Sequence, residues 1–589
     1  MQWKTKLTTL ATSTLLFASH VSWANQAADS VAPEQSSGLE TKQLVKANDW
    51  MVTAANPLAT QAGADVLARG GNAIDAMVAV QLMLGLVEPQ SSGIGGGAFL
   101  VYFDGKDKQL KTYDGRETAP LDATPRLFQD ENGQPLKFYD AVVGGRSVGT
   151  PGTVQLLWDT HQKYGKLEWA SLIKPIAQLA EEGFTISPRL ATLIDNDQER
   201  LSRFATTKAY FFNADGSPKA AGTQLKNPEY AATLNAISKN GAKAFYQGEI
   251  SADIINTVQT AKGNPGVLAQ KDFDAYSIKQ REPVCSAYES YQVCGMGPPS
   301  SGALTVGQIL AMTEQFDLKS WGPNDAKSWQ VLADASRLAF ADRGMYMADQ
   351  DYVPMPTQGL VNTDYLQERA QLITAGKALA GAPSGAPSGT PPWEHAMQRS
   401  QDVSIELPST SHFNIVDSDG NVVSMTTTIE NAFGSRLMVR GFLLNNELTD
   451  FSFKTHNDGK PIANRLEPGK RPRSSMAPTI IMQGDKPYMA IGSPGGSRII
   501  GYVAQAIIAH SQWDMDIQQA INQPHFLNRF GTLDLEKGTS AENFKPELEK
   551  MGFEVNVRDL NSGLHAIRIT KDGLEGAADP RREGAAIGQ

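Results

Sequence analysis

The sequence predicts an α+β chain, and two observations carry that expectation. His412–Val416 (HFNIV) and Val422–Thr428 (VVSMTTT) are short runs rich in β-branched and apolar residues. Between them lies Asp417-Ser418-Asp419-Gly420-Asn421, whose Asp, Gly and Asn tolerate the positive φ values of a hairpin turn. Residues 153–270 and 330–375 instead alternate amphipathic helices with loops.

Composition bounds the rest. At 589 residues, 41% apolar and 20% charged, the chain can build a large core. Its formal charge of −10 is spread without long runs, so nothing points to nucleic acid as a partner. Met1–Ala24 reads as a secretory signal, with Lys4 and Lys6, an apolar Leu7–Val21, and a small-x-small end at Ser22-Trp23-Ala24. The mature chain is therefore expected to begin near Asn25 in an exported compartment, the periplasm above all, with secretion the other option. Asn25–Gln43 is a polar lead-in. No later stretch has the length of a membrane span. The nearest, Ile74–Val87, is short, carries Asp75 and Gln81, and reads as a buried helix capped by Asn72. Gly70-Gly71 would close the preceding helix, Pro57–Arg69.

Two glycine strings imitate known motifs. Gly93-Ile94-Gly95-Gly96-Gly97-Ala98 matches G-x-G-x-x-A, but a dinucleotide site needs a strand before the glycines and a helix after them. Here the helix precedes and the strand Ala98–Phe103 follows, so close backbone packing is the expected role. Gly145-Arg146-Ser147-Val148-Gly149 matches the nucleophile elbow of a serine esterase. Gly149-Thr150-Pro151-Gly152 delays any helix to about Thr153, where an elbow starts its helix at once.

The only cysteines, Cys285 and Cys294, flank two strand-like pieces around a turn. They are either a hairpin staple of an exported protein or two buried thiols. Neither their spacing nor the scattered histidines forms a metal signature, so no metal and no cofactor are expected. Ala375–Pro392 (AGKALAGAPSGAPSGTPP) reads as a flexible linker, too poor in large apolar residues to pack.

Thr410 stands at the outer end of the first hairpin strand, with Thr426 and Thr428 near the same end of its partner. A hydroxyl is a weak nucleophile without a base close by. An N-terminal threonine carries one, an α-amine with an ordinary pKa of about 7.7–8.0. That amine exists only if the Ser409–Thr410 bond is cut. The bland alternative is a Thr/Ser-rich edge hairpin. Asp417-Ser418-Asp419 also hints at a calcium loop, but no bidentate Glu follows at the needed spacing.

Longer strings carry a resemblance. Thr410-Ser411-His412, Asp419-Gly420-Asn421, Phe433-Gly434, Leu444-Asn445-Asn446-Glu447 with Asp450-Phe451, Lys470–Met476 and Gly492–Arg498 follow one another in the order and approximate spacing of the γ-glutamyltranspeptidases. The resemblance runs from about Lys46 to near the C-terminus. It implies an N-terminal-nucleophile hydrolase: an αββα sandwich of two stacked, mostly antiparallel sheets between helical layers. Self-cleavage would make a large subunit, Asn25–Ser409, and a small catalytic one, Thr410–Gln589, with no separate second domain.

The resemblance also assigns roles. Thr410 attacks the γ-carbonyl of a γ-glutamyl amide, with glutathione the expected donor and water, an amino acid or a peptide the acceptor. Thr428 hydrogen-bonds the nucleophile, and Gly495 and Gly496 supply oxyanion N–H donors. Arg116, in Arg116-Glu117-Thr118-Ala119-Pro120, meets the substrate α-carboxylate with Ser474 and Ser475, while Glu447 and Asp450 meet its α-ammonium. Ala333–Arg343 (ADASRLAFADR) resembles a family helix and reads as scaffold.

One position departs. The family commonly has Asn two residues after the threonine matched by Thr428, and this chain has Glu430. A third carboxylate there would raise the pKa of a neighbour. It could also hold the ammonium or the nucleophile's amine. The loop Ser452–Gly469 lacks an aromatic match to the lid of some members, so a more open pocket is expected. Two rivals remain. A cephalosporin (glutaryl) acylase would leave Glu430, Glu447 and Asp450 without an ammonium. A non-catalytic binding protein would not need Thr410 or the oxyanion glycines.

Overall fold

Alternation along the two hairpin strands decides how the layers stack. A computed structural model describes residues 38–589 except 381–385, 396, 397, 403, 405 and 408. The leader Met1–Ala24 and the lead-in to residue 37 lie outside the described residues. The strands are Thr410–Val416 and Val422–Thr428, antiparallel, with Thr410 opposite Thr428 and His412 opposite Thr426. Phe413, Ile415, Val423 and Met425 point to one face, into a core shared with the helices Pro57–Ala68, Ala73–Val87, Trp169–Glu182 and Pro228–Asn240. Full burial of each such side chain contributes about 1.5–3 kcal/mol. Val416 and Val422 point the other way, onto Ile480, Ala490 and Ile567 of a second sheet.

Each sheet has seven strands. The first runs, in spatial order, Ala585–Gly588, Met51–Ala54, Thr410–Val416, Val422–Thr428, Gly97–Asp104, Gln109–Gly115 and Lys279–Arg281. The second runs Val45–Ala47, Gly573–Ala578, His565–Thr570, Lys486–Gly492, Thr479–Gln483, Tyr291–Gly295 and Val284–Tyr288. All pairings within both are antiparallel. Helices Gly302–Thr313, Ala326–Tyr346 and Ile499–Gln512 cover the outer face of the second sheet. The result is the expected αββα sandwich, and residues from both sides of Ser409–Thr410 interleave in each sheet. The hairpin is therefore central, not the edge element of the bland alternative: every residue of both strands is buried.

Local chemistry explains the element ends. Asn72 and Asp75 form a reciprocal capping box that starts the helix Ala73–Val87. The Asp417 carboxylate of the hairpin turn accepts from Asp419 N, Asn421 N and, at 2.7 Å, Ala73 N. An anion thus sits at a helix N-terminus, where it is favoured, and the turn is bolted to the first helical layer. Gly95 and Gly96 pack against backbone as expected: a Cβ on Gly96 would lie 2.0 Å from Thr428 O. Cys285 and Cys294 face each other on adjacent strands with their sulfurs bonded at 2.06 Å.

The described parts of Ala375–Pro392 correct the expectation that this stretch cannot pack. Ala378 N donates to Met551 O at 2.8 Å, Leu379 N to Asp334 at 2.9 Å, and Gly389 N to Asp342 at 2.7 Å. Backbone hydrogen bonds to buried acids replace the apolar side chains it lacks. Among the described residues no helix is long and apolar enough to cross a membrane.

Candidate active site

Thr410, His412, Asn414 and Val416 share the face of their strand that looks toward the second sheet. Register places Thr428 opposite Thr410 on the same face. Thr410 Oγ1 donates to Thr428 Oγ1 at 3.3 Å, and Thr428 Oγ1 donates to the Ser409 carbonyl at 2.8 Å. Glu430 N donates to Thr428 Oγ1 at 2.9 Å. The Thr428 hydroxyl therefore spends its one proton on the Ser409 carbonyl and both lone pairs on its neighbours. The Ser409–Thr410 bond is held from the other side as well, since Ser409 Oγ donates to Gln90 O at 2.8 Å. His412, below the nucleophile, is pushed down to about 3 by burial and by His565, so it is neutral. It is held between Thr426 and Asn414.

A small cavity of about 20 Å³ opens beside Thr410, and Arg116, Thr428, Glu430, Glu447, Asp450, Ser474, Ser475 and Gly496 line it. The fold thus gathers nearly every residue singled out in the sequence. Gly495 is set one residue back, at φ +138°, with Tyr502 against its α-carbon. Gly495 and Gly496 lead into the helix Ile499–Gln512. Cys285 and Cys294 are remote, at the edge of the second sheet. Ser147 is no nucleophile: it is fully buried and donates to Val142 O at 2.6 Å.

Arg116 is buried among acids. It pairs with Glu447 and, at 2.6 Å, with Asp450, and donates to the carbonyls of Pro472 and Arg473. Burial pushes the Glu447 and Asp450 carboxyls up; Arg116 counters this, and neighbouring carboxylates add to it. Glu117 is pushed up to about 8, also by burial first. Glu430 is raised by burial and then by Asp450. In the uncut chain it binds neither an ammonium nor the Thr410 nitrogen. It accepts from Leu407 N at 3.2 Å and Asn446 Nδ2 at 2.5 Å.

Three residues of the site were missed in the sequence. Glu406 and Leu407 line the same cavity, so the chain just before Thr410 forms part of its wall. Leu407 lies over Gly496, where a Cβ would come within 2.9 Å of its carbonyl. Arg343, assigned to scaffold, pairs with Glu406 and donates to Ser475 Oγ at 2.7 Å. Burial pushes the Glu406 carboxyl up, but Arg343 and Arg473 outweigh it and hold it below the usual range. The helix Ala326–Tyr346 therefore holds chain that precedes Thr410: Asp334 accepts from Leu379 N, Asp342 accepts from Gly389 N, and Arg343 pairs with Glu406. The available signal was a helix whose Asp and Arg residues are interleaved with Ala, Leu and Phe on every face.

Phe453 stacks on Phe128 with ring centres 4.7 Å apart, and Ser452 N bonds Asn464 O, so the start of the 452–469 loop is docked. The site residues are nearly inaccessible, and residues 406–407 form part of the wall around them.

A family model described as gamma-glutamyltranspeptidase matches residues 59–589. A glutathione hydrolase proenzyme of Bacillus subtilis (strain 168) is 38% identical over 562 residues, covering 93% of each chain. Among solved structures, the Helicobacter pylori gamma-glutamyltranspeptidase is similar at 34% identity and a TM-score of 0.54, covering 58% of this chain and 95% of that one. A cephalosporin acylase from Bacillus halodurans has the same fold, with a TM-score of 0.81 at 24% identity over 95% of this chain and 99% of that one.

Proposed function

The chain belongs to the γ-glutamyltranspeptidase family, and we propose that it moves the γ-glutamyl group of glutathione and related amides to water or to an amine acceptor. The reading has two stages. In the first, Thr410 Oγ1 attacks the Ser409 carbonyl carbon. The Ser409–Thr410 C–N bond breaks, the freed nitrogen takes the hydroxyl proton, and water hydrolyses the resulting ester. In the second, the new α-amine takes the Thr410 hydroxyl proton as Oγ1 attacks the γ-carbonyl. The amine then returns that proton to the leaving nitrogen. Water or an acceptor amine releases the glutamyl group.

The observation that carries this is the chain of hydroxyls from Thr410 through Thr428 to the Ser409 carbonyl. It polarises the bond to be cut and keeps the nucleophile beside it. The substrate α-carboxylate is assigned to Arg116, Ser474 and Ser475, and the α-ammonium to Glu447 and Asp450 with Glu430 beside them. Gly495 and Gly496 are the assigned oxyanion donors, at the N-terminal end of the helix Ile499–Gln512. A glutaryl donor, as an acylase would take, has no ammonium for these acids. The leader Met1–Ala24 and the Cys285–Cys294 bond support an exported, periplasmic location.

Intact-mass analysis of the wild type beside Thr410→Ala tests the first stage. Two fragments divided before Thr410, against one unbroken variant chain, are expected; a folded wild type that stays whole would sink the reading. Comparing γ-glutamyl and glutaryl anilides tests the second, with turnover of the glutamyl donor expected to dominate.

A further inference from the structure

We infer that Arg343 and Ser475 form a carboxylate subsite of the processed pocket, and that Glu406 fills this subsite in the uncut chain as a built-in occupant. The inference rests on the acyl-transfer reading above and adds a residue to its substrate site.

The geometry is that of one bound carboxylate. Ser475 Oγ donates to Glu406 Oε2 at 2.5 Å, and Arg343 Nη2 reaches both Glu406 and Ser475 Oγ. Arg473 Nε approaches the same carboxylate at 3.6 Å. Arg343 is fixed from behind by its Nε donating to Ser301 Oγ at 2.8 Å. The guanidinium is buried, as are Ser475 and Glu406.

Glu406 cannot stay once the enzyme works. Leu407 lies across Gly496, and both Glu406 and Leu407 line the void beside Thr410. A γ-glutamyl carbonyl can reach Thr410 only if Leu407 moves out, and Glu406 is its chain neighbour. Arg473 keeps a partner then, in Asp402 at 2.9 Å. Among the described residues Arg343 pairs with no carboxylate other than Glu406. Its departure leaves a buried cation and a free serine hydroxyl side by side at the pocket wall.

Hydrogen-bond accounting points to the donor's α-carboxylate as the replacement. Arg116 has four of its five N–H donors engaged, by Pro472 O, Arg473 O, Glu447 and Asp450. It can give that carboxylate little more than one further bond while it holds the acids that face the ammonium. Arg343 and Ser475 supply the rest. Glu406 is thus a substrate mimic: its side chain places a carboxylate where the processed enzyme places the substrate's.

The processed enzyme is assayed with a γ-glutamyl anilide and with the same donor bearing an α-carboxamide. Arg343→Gln should raise KM for the carboxylate donor about tenfold or more, with kcat changed less than about threefold. KM for the carboxamide should stay within about twofold, and Arg343→Lys should recover much of the loss. A purely structural role would move both donors alike. That result, or an unchanged KM for the carboxylate donor, overturns the inference. It leaves the Thr410 reading standing, because wild-type processing and turnover decide that one. A second measurement needs no Arg343 variant. In uncuttable Thr410→Ala protein, calorimetry should find propionate, which fits the space of the removed Glu406 side chain without displacing Leu407, bound about tenfold or more tighter when Glu406→Ala is added. Equal affinities overturn the proposal.

Discussion

Arg116 and Arg343 are both buried guanidiniums that serve one pocket, yet their anions come from opposite sides of the Ser409–Thr410 bond. Arg116 is paired to Glu447 and Asp450, downstream of the bond. Arg343 is paired to Glu406, upstream of it and four residues from the cut. On the proposed reading, cutting the chain leaves the first cluster whole and lets the second lose its anion. The first is then permanent pocket wall, and the second a latch whose carboxylate leaves before substrate enters. A buried ion pair is strongly destabilised when one partner is removed, so the same contact that orders the precursor leaves Arg343 wanting an anion afterwards.

Thr428 belongs to both states, and changing it should have the largest effect. Its hydroxyl donates to the Ser409 carbonyl and accepts from the Thr410 hydroxyl, so on the proposed reading it serves both the cut and turnover. Thr428→Val keeps the shape and removes the donor. Self-cleavage should slow about 10²–10³-fold, in line with the loss of one donor to a developing oxyanion, and turnover of the fraction that does process should fall with it. A mass-spectrometric time course checks the first and anilide kinetics the second. Normal processing in Thr428→Val would show that the hydroxyl chain is incidental.

The two clusters should then separate cleanly. Arg116→Lys replaces a planar fork by a point charge. It should lower kcat/KM for the glutamyl anilide by about 10²-fold, since truncating a buried charge pair typically costs 2–5 kcal/mol. Glu406→Gln should do the reverse. It should leave kcat/KM of the processed enzyme within about twofold and lower the melting temperature of the uncut Thr410→Ala chain. If Glu406→Gln impaired the processed enzyme as Arg116→Lys does, Glu406 would be wall and not latch.

This contrast also marks what could be read from sequence. The Thr410 strand obeys a period of two and lies between layers, so its apolar and hydroxyl residues announce their faces. Arg116, Glu447, Asp450 and Ser474-Ser475 sit in long strings that resemble a known family. Arg343 does not announce itself. Helix Ala326–Tyr346 is buried on nearly all sides, so its periodicity gives no exposed face to set a functional arginine apart. Glu406 and Leu407 belong to irregular chain, held by charge pairs and backbone contacts that leave no pattern in the residues themselves. The anchoring of Leu379 and Gly389 was hidden for the same reason, because their backbone N–H groups, bonded to Asp334 and Asp342, do it.

Glu430 gives a smaller, pH-dependent difference. Its carboxyl is raised by burial and by Asp450. The folded chain therefore keeps a proton that the unfolded chain loses near the ordinary value of about 4.3. Stability from this group is full below that pH and declines as pH rises toward the folded value. Glu430→Gln mimics the protonated form and removes the decline. In the uncut Thr410→Ala background, the melting temperature of the Gln variant relative to Glu should grow as pH is raised from about 4 to 8. A constant difference across that range would mean that Glu430 is ionised in the fold.

The disulfide should matter least. Cys285 and Cys294 close a short loop on an edge hairpin, far from Thr410. Loop-closure entropy grows only with the logarithm of loop length, so so short a ring constrains the unfolded chain by about 2–3 kcal/mol at most. In a chain this long that moves the melting temperature by only about 2 °C. Replacing both cysteines by alanine should therefore produce a small thermal shift, with processing and kcat/KM unchanged. A large loss of activity would mean that the edge of the second sheet is coupled to the pocket. Any such coupling would run through the core between the sheets, where Cys294 packs in one cluster with Val416 and Val422 of the Thr410 hairpin, whereas both guanidiniums reach the pocket through loops and the helix Ala326–Tyr346.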